Sequence, residues 1–218
     1  VANKFPAILT MIFAVFSTSW QISVIEEYEK DGYSHFFNNV FRIVILLMIL
    51  ASCLISILSP LIISIFANEN YYESWRYVPV LLLSSVLIGI SGMAGSNFSA
   101  TKESKYFFYS SVWGALTAVI GNILFIPYIG TMGACLSVVF SFLVMSLSRC
   151  FYCWKYVKIH HISKIIFSLV GNIIIILLTL SSLYTSFKIV GYCLSFIFIL
   201  YVNGDVLRQV YNVIKSRI

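Results

Sequence analysis

The chain has 218 residues, of which 60% are hydrophobic and only 10% are charged, with a net charge of +6. Soluble domains carry about 25% charged residues, so a soluble fold of this size has too few of them to cover its apolar side chains. Apolar runs recur from end to end and leave no polar block for a separate soluble domain. The sequence therefore predicts an all-α integral membrane protein, a polytopic bundle of about seven transmembrane helices.

Five of these helices are predicted in residues 1–154. Each apolar run has about 20 residues, which at about 1.5 Å per residue crosses the roughly 30 Å of hydrocarbon in a bilayer. Pro60 is expected to end the second span and to leave 61–66 as a short apolar segment at the interface. The five predicted spans are 5–24, 36–58, 77–98, 106–126 and 132–154.

The fourth and fifth spans are predicted to form a hairpin. Residues 113–126 and 134–147 contain no Asp, Glu, Lys or Arg, and only the short segment 127–133 separates them. So short a connection makes the two helices antiparallel neighbours.

Residues 155–218 are predicted to add two further transmembrane helices and a basic tail. The two spans are 165–183 and 187–202, and the tail runs from Arg208 to Arg217.

The Lys and Arg residues are distributed unevenly between the two sides of the predicted bundle. When the loops are assigned alternately to two sides, three of the 14 basic residues fall on the side of Val1 and eleven on the other. Because cytoplasmic loops are enriched in Lys and Arg, the second side is predicted to be cytoplasmic, and with it the C-terminus. The positive charge is then a feature of topology and of contact with membrane lipids, and no nucleic-acid partner is expected.

Val1 is therefore expected on the outer side. It is not a Met, and no signal-peptide pattern follows it. We expect the chain to be a fragment of a longer protein, with an upstream span that brings it across the membrane.

Arg42 is the most informative charge in the sequence. It lies about six residues inside the second predicted span, where a charge is costly unless it reaches headgroups or lines a cavity. One interpretation is an arginine that extends to the cytoplasmic interface, and the other is a cavity cation that pairs with a phosphate-bearing substrate. Lys4 and Arg76 pose the same choice on the outer side, although Glu73 is placed to form a local pair with Arg76.

Three uncharged side chains complete the candidate binding residues: Gln21, Asn97 and Asn122. Amides at bundle depth, including that of Asn172, more often form hydrogen bonds between helices than bind a ligand.

The residues that carry enzyme chemistry are few. The sequence has no Gly-rich phosphate loop and no convincing Ser-His-Asp arrangement. Cys150 and Cys153 lie near His160 and His161, but adjacent histidines are poorly spaced for zinc. We therefore expect no catalytic residue, cofactor or metal in this chain.

Several stretches then carry a resemblance to a known family. They are Asn3-Lys4-Phe5-Pro6, Trp20-Gln21-Ile22-Ser23 before Glu26-Glu27-Tyr28, the segment 71–79, Gly114-Ala115, the segment 121–127, Gly133-Ala134 and Arg149. In this order and spacing, the chain resembles the later half of a bacterial oligosaccharide flippase of the polysaccharide-transport family. That family includes the O-antigen flippases and belongs to the multidrug/oligosaccharidyl-lipid/polysaccharide exporter superfamily. The resemblance covers residues 1 to about 149, whereas the last two spans match only in hydrophobic character.

The resemblance implies a two-lobed transporter in the bacterial inner membrane, with this chain forming most of the second lobe. The implied activity is alternating-access transfer of an undecaprenyl-pyrophosphate-linked oligosaccharide to the outer leaflet, for O-antigen or capsule synthesis. Polysaccharide polymerase or ligase machinery would be the implied protein partner.

Two other classes remain open. A multidrug cation antiporter of the same superfamily needs carboxylates within the membrane, but the Asp and Glu residues here lie at span ends or in loops. A membrane enzyme of the polysaccharide pathway typically has a long loop outside the membrane, and the longest loops here have about a dozen residues.

Overall fold

The computed structural model describes residues 2–215, which form α-helices and one 3-10 helix and contain no β-strand. In chain order the elements are α1 (Lys4–Glu27), α2 (Tyr33–Phe66), the 3-10 helix (Glu69–Arg76), α3 (Tyr77–Ala100), α4 (Ser104–Cys153), α5 (Ile162–Leu180), α6 (Thr185–Val202) and α7 (Gly204–Lys215). Six of the described helices, α1 to α6, are long and apolar enough to cross a membrane. The protein is thus an all-α bundle of membrane-length helices.

α4 folds back on itself at Gly130. The backbone there has φ 55° and ψ −134°, a conformation that glycine adopts because it has no Cβ. The arms 104–129 and 131–153 pack closely, since Ser141 Oγ donates a hydrogen bond to the carbonyl of Gly114 at 2.7 Å. A Cβ placed on Gly121 would lie 3.0 Å from Ser137 Oγ. The two arms therefore form an antiparallel hairpin packed through small residues.

α2 differs from the sequence prediction because it continues through Pro60 to Phe66. Proline has no N–H, so the carbonyl of Ser56, four residues earlier, loses its usual helical donor. Ser59 Oγ donates to that carbonyl at 2.8 Å instead. Residues 61–66 are the last turns of α2, and they do not form a separate interfacial segment.

α3 is the central helix of the bundle. It packs against α1, α2 and α4, and its buried face combines large apolar residues such as Val86 and Met93 with several serines and glycines. α5 packs on α2 and α6, so α2 connects the α1–α4 group to the α5–α6 pair.

One end of the bundle collects most of the basic residues, and we call it the basic end. The helix termini at Glu27, Tyr33, Ala100, Ser104 and Cys153 lie there, linked by contacts such as the Tyr28–Tyr33 and Tyr106–Tyr152 ring pairs. The predicted basic tail is helical as far as Lys215, while Arg217 lies outside the described residues.

Candidate functional site

A groove follows α3 on the side where α1 and α4 flank it. Both helices pack on α3, but in the described part of the chain they make no extensive contact with each other. One cavity opens along the groove near the basic end and another near the opposite end. Phe13 of α1 lies over Gly92 of α3 between them, because a Cβ on Gly92 would come within 2.9 Å of the phenyl ring. This contact between α1 and α3 therefore lies at a level between the two cavities.

The cavity near the basic end has a volume of about 430 Å³. Its walls combine hydroxyl and amide groups with phenyl rings, a mixture that suits a ligand with both polar and apolar faces. The lining residues are Gln21, Phe98, Ser99, Ser104, Phe107, Phe108 and Ser111.

The cavity near the opposite end has a volume of about 340 Å³. Asn3, Thr10, Ser84 and Ser85 supply its polar lining, and apolar residues of α1, α3 and α4 supply the rest. Polar lining near both ends of one groove is notable in a bundle whose outer surface is largely apolar, since polar groups in a membrane usually serve packing or transport.

Arg149 lies behind the basic-end cavity and is only 5% exposed. It is near the end of α4, and helical side chains lean toward the N-terminus of their own helix. The guanidinium consequently extends away from the basic end and reaches Ser91, nine residues before the end of α3, or roughly 13 Å at about 1.5 Å per residue. This arginine is directed into the bundle, away from the end of α4 near which it lies.

Serine hydroxyls surround the Arg149 guanidinium. Nε donates to Ser110 Oγ at 3.1 Å, Nη2 to Ser111 Oγ at 3.1 Å, and Nη1 to Ser91 Oγ at 2.9 Å and to the Ser91 carbonyl at 3.2 Å. The group also lies 4.0 Å from the centre of the Phe107 ring. No carboxylate within residues 2–215 forms an ion pair with it. Arg149 is therefore a buried cation held by neutral groups.

Arg149 was not among the binding residues predicted from the sequence. It stands close to the end of an apolar run, where an arginine normally extends to the interface. The hairpin register was the signal that could have identified it: Ser110 lies 20 residues before Gly130 and Arg149 lies 19 after it. Residues equally distant from a hairpin turn face each other.

Arg42, for which the sequence left an interfacial position and a cavity position open, is buried in an ion pair. Its Nη1 lies 2.8 Å from Asp205 Oδ2 and its Nη2 donates to Asp205 Oδ1 at 2.9 Å, while Lys164 Nζ contacts the same carboxylate at 3.0 Å. The hydrogen bond from Arg42, together with Lys164, holds the pKa of Asp205 well below its usual value. Arg42 thus fastens α7 to α2 at the basic end, and it lines neither groove cavity.

The other predicted residues occupy varied positions. Gln21 lines the basic-end cavity, whereas Asn97 is fully buried beside it and accepts a hydrogen bond from the Tyr33 hydroxyl. Asn122 is half-buried on the first arm of α4 and lines neither groove cavity. Lys4 is exposed at the opposite end.

The predicted local pair of Arg76 and Glu73 is confirmed. Arg76 Nε lies 3.0 Å from Glu73 Oε2 on the exposed 3-10 helix. Asn172 likewise takes the expected interhelical role, because its Nδ2 donates to Ser52 Oγ of α2 at 3.1 Å.

Comparison of the chain with protein-family models, with curated proteins and with solved structures found no match.

Proposed function

We propose that this chain is part of a flippase that moves an undecaprenyl-pyrophosphate-linked oligosaccharide from the cytoplasmic to the outer leaflet of a bacterial inner membrane. The polar groove along α3 carries the proposal. Its hydroxyl and amide groups suit the hydroxyls of a glycan, and the Phe13–Gly92 contact lies between two cavities that open near opposite ends of the bundle. Such an arrangement suits alternating access, in which a central contact closes one side while the other is open.

The proposed orientation places the basic end in the cytoplasm, where positively charged loops are enriched. With the two arms of α4 taken as separate crossings, the membrane-length helices give seven crossings and a cytoplasmic α7. In the complete transporter these helices would form most of the second lobe, and the groove would face the first lobe. Polymerase or ligase machinery on the outer side would receive the glycan.

A multidrug cation antiporter is the nearest alternative. Its cargo and its coupling proton or sodium ion both require carboxylates in the membrane. Arg149, a cation, contacts the groove lining at Ser111, and the described spans carry acidic residues only near their ends. A groove of this charge favours an anionic cargo.

The test is complementation of cells that lack their own O-antigen flippase, with the gene that encodes this chain. We expect restored surface glycan and loss of the accumulated lipid-linked intermediate. A Thr10→Trp variant fills the opposite-end cavity and should abolish rescue. Thr18→Trp adds the same side chain to an exposed position of α1 and should leave rescue intact.

Failure of rescue in several glycan backgrounds, with the protein present in the membrane, would contradict the proposed cargo. Equal rescue by the Thr10→Trp and Thr18→Trp variants would contradict the assignment of the groove as the route.

A further inference from the structure

We propose that Arg149 binds the phosphate group of the cargo's lipid carrier at the basic-end cavity. This inference rests on the proposed flippase function, since it identifies the residue that recognises the charged part of that cargo. The ligand class is an amphiphile in which a phosphate or pyrophosphate joins an apolar chain to a polar group.

The direction of the side chain is the first argument. An arginine four residues from a helix end reaches the headgroup region easily and at little cost. Arg149 instead extends into the bundle, to Ser91 of α3. A cation placed inside a membrane bundle in this way is expensive, and such residues usually mark a pathway for charged substrates.

The charge balance around the guanidinium is the second argument. Serines contribute only partial negative charge, and the Phe107 ring contributes only its quadrupole. Arg42, by comparison, has Asp205 as its counterion. Of the two buried arginines, Arg149 is the one whose positive charge is not neutralised within residues 2–215.

Access from the cavity is the third argument. Ser111 and Phe107 both line the basic-end cavity and both contact Arg149. A guanidinium has five N–H donors, and the contacts in the described part of the chain use four of them. A phosphate oxygen in the cavity therefore meets the Nη2 edge next to Ser111, where it takes the remaining N–H and displaces the hydroxyl. Charge-assisted bonds of guanidinium to phosphate are about twice as strong as neutral ones, which favours the exchange.

When no ligand is bound, the serines are the hydrogen-bond partners of the Arg149 guanidinium. They hold the guanidinium in place with hydrogen bonds that an anion can replace at low cost. A carboxylate partner, such as Asp205 at Arg42, would instead compete with a phosphate for the guanidinium.

The experiment measures the binding of geranylgeranyl pyrophosphate to the full chain in nanodiscs of phosphatidylcholine. We expect Arg149→Gln to weaken binding about tenfold or more, as for the loss of a charged hydrogen-bond donor. The affinity of Arg149→Lys should lie between those of wild type and Arg149→Gln. Arg208→Gln removes the same charge from an exposed position of α7 and should bind within about threefold of wild type. Equal binding by folded Arg149→Gln and wild type would overturn the proposal.

A second variant covers the case in which Arg149→Gln does not fold. Ser111→Leu places an apolar side chain between the guanidinium and the cavity at a half-buried position, and Arg149 is retained. We expect the same loss of binding, with an unchanged circular dichroism spectrum. Undiminished binding by this variant would exclude the cavity as the route to Arg149.

Competing ligands identify the chemical group that is bound. Inorganic pyrophosphate should displace the probe from wild type, and geranylgeraniol, which has no phosphate, should not. Displacement by geranylgeraniol would show that the chain alone is recognised and would overturn the proposal. Displacement by phosphatidylglycerol would assign the site to an ordinary anionic lipid headgroup and overturn the carrier assignment.

Complementation separates this inference from the proposed function. If wild type and Arg149→Gln restore surface glycan equally, the flippase stands and the phosphate site is wrong. If wild type gives no rescue while probe binding still depends on Arg149, the site stands and the cargo is a different amphiphilic phosphate.

Discussion

At the scale of single residues, the two buried arginines show how differently a bundle can accommodate a positive charge. Both are 5% exposed. The guanidinium of Arg42 pairs with the carboxylate of Asp205, which is itself partly exposed. The guanidinium of Arg149 instead contacts serine hydroxyls and the Phe107 ring. The first arrangement fixes two elements together, whereas the second surrounds the charge with neutral groups, which is the basis of the ligand site proposed for Arg149.

The Arg42–Asp205 pair should respond unequally to the loss of either partner. Asp205→Asn leaves a buried guanidinium without a counterion and should cost roughly 2–3 kcal/mol. Arg42→Met leaves Asp205 partly exposed and still paired with Lys164, so it should cost only about 1 kcal/mol. Thermal unfolding of the two variants in nanodiscs checks the order, and a larger loss for Arg42→Met would contradict it.

The same pair predicts a dependence of stability on pH. The pKa of Asp205 is lowered from its ordinary 3.8 by the hydrogen bond from Arg42 and by Lys164. A lowered pKa gives stability that is fully present above the ordinary value and is lost as pH falls below it. The difference in melting temperature between wild type and Asp205→Asn should therefore be constant above about pH 5 and shrink toward pH 3. Use of the difference removes contributions from groups remote from Asp205, and a constant difference down to pH 3 would contradict the prediction.

The sequence indicated Arg42 but missed Arg149, and side-chain direction explains why. Distance from the end of an apolar run measures the depth of the Cα, and Arg42 is deeper by that measure. Where the charge itself lies depends on which neighbours offer hydrogen bonds. For Arg149 those neighbours are on another helix and on the other arm of its own hairpin.

At the scale of elements, α2 shows that a proline within a helix need not end it. The carbonyl that Pro60 leaves without a donor is satisfied by the Ser59 hydroxyl. The sequence rule that places a helix end at proline fails here because a single side chain replaces the missing bond, and burial in the bundle favours continuation.

A double-mutant cycle tests this replacement. Ser59→Ala should cost about 1 kcal/mol when Pro60 is present, because the buried Ser56 carbonyl loses its donor. It should cost almost nothing in a Pro60→Ala background, where residue 60 supplies an N–H. Ser64→Ala, which removes an exposed hydroxyl from the same helix, is the control. Equal costs in the two backgrounds, measured by chemical unfolding, would contradict the interpretation.

The turn of α4 provides a second prediction at this scale. A Cβ on Gly130 meets no atom within 4 Å, so any penalty for Gly130→Ala comes from its positive φ. We expect a loss of about 1–3 kcal/mol in unfolding free energy. Gly204→Ala also meets no atom, has no positive φ and should be nearly neutral. Similar melting temperatures for the two variants would show that the positive φ of residue 130 does not require glycine.

At the scale of the whole molecule, the sequence could predict the class of fold but could not predict the groove. Composition and the length of the apolar runs identify helices that fit a bilayer, because a spanning segment must satisfy its backbone hydrogen bonds internally and therefore forms a helix. The hairpin of α4 also follows from the short segment 127–133, which joins two apolar runs without charged residues. The groove depends on how α1 and α4 divide the surface of α3, which no local pattern encodes.

The orientation of the bundle is a prediction at the same scale. In a variant whose five cysteines are replaced by serine, Tyr128→Cys at the α4 turn should react with a membrane-impermeant thiol reagent in spheroplasts. Lys158→Cys, in the exposed connection between α4 and α5, should react only after permeabilisation. The reverse pattern would place the basic end outside.

The contact between Arg42 and Asp205 also has a consequence for biosynthesis. The two residues are separated by 163 positions, so at about 5–20 residues per second the ribosome adds the aspartate roughly 8–30 s after the arginine. Throughout that interval the Arg42 guanidinium lacks its Asp205 counterion, and its charge must be stabilised by other groups, such as water or lipid phosphates at the interface. Synthesis of α7 then supplies the carboxylate counterion, so this ion pair forms only after α7 has been added to the chain.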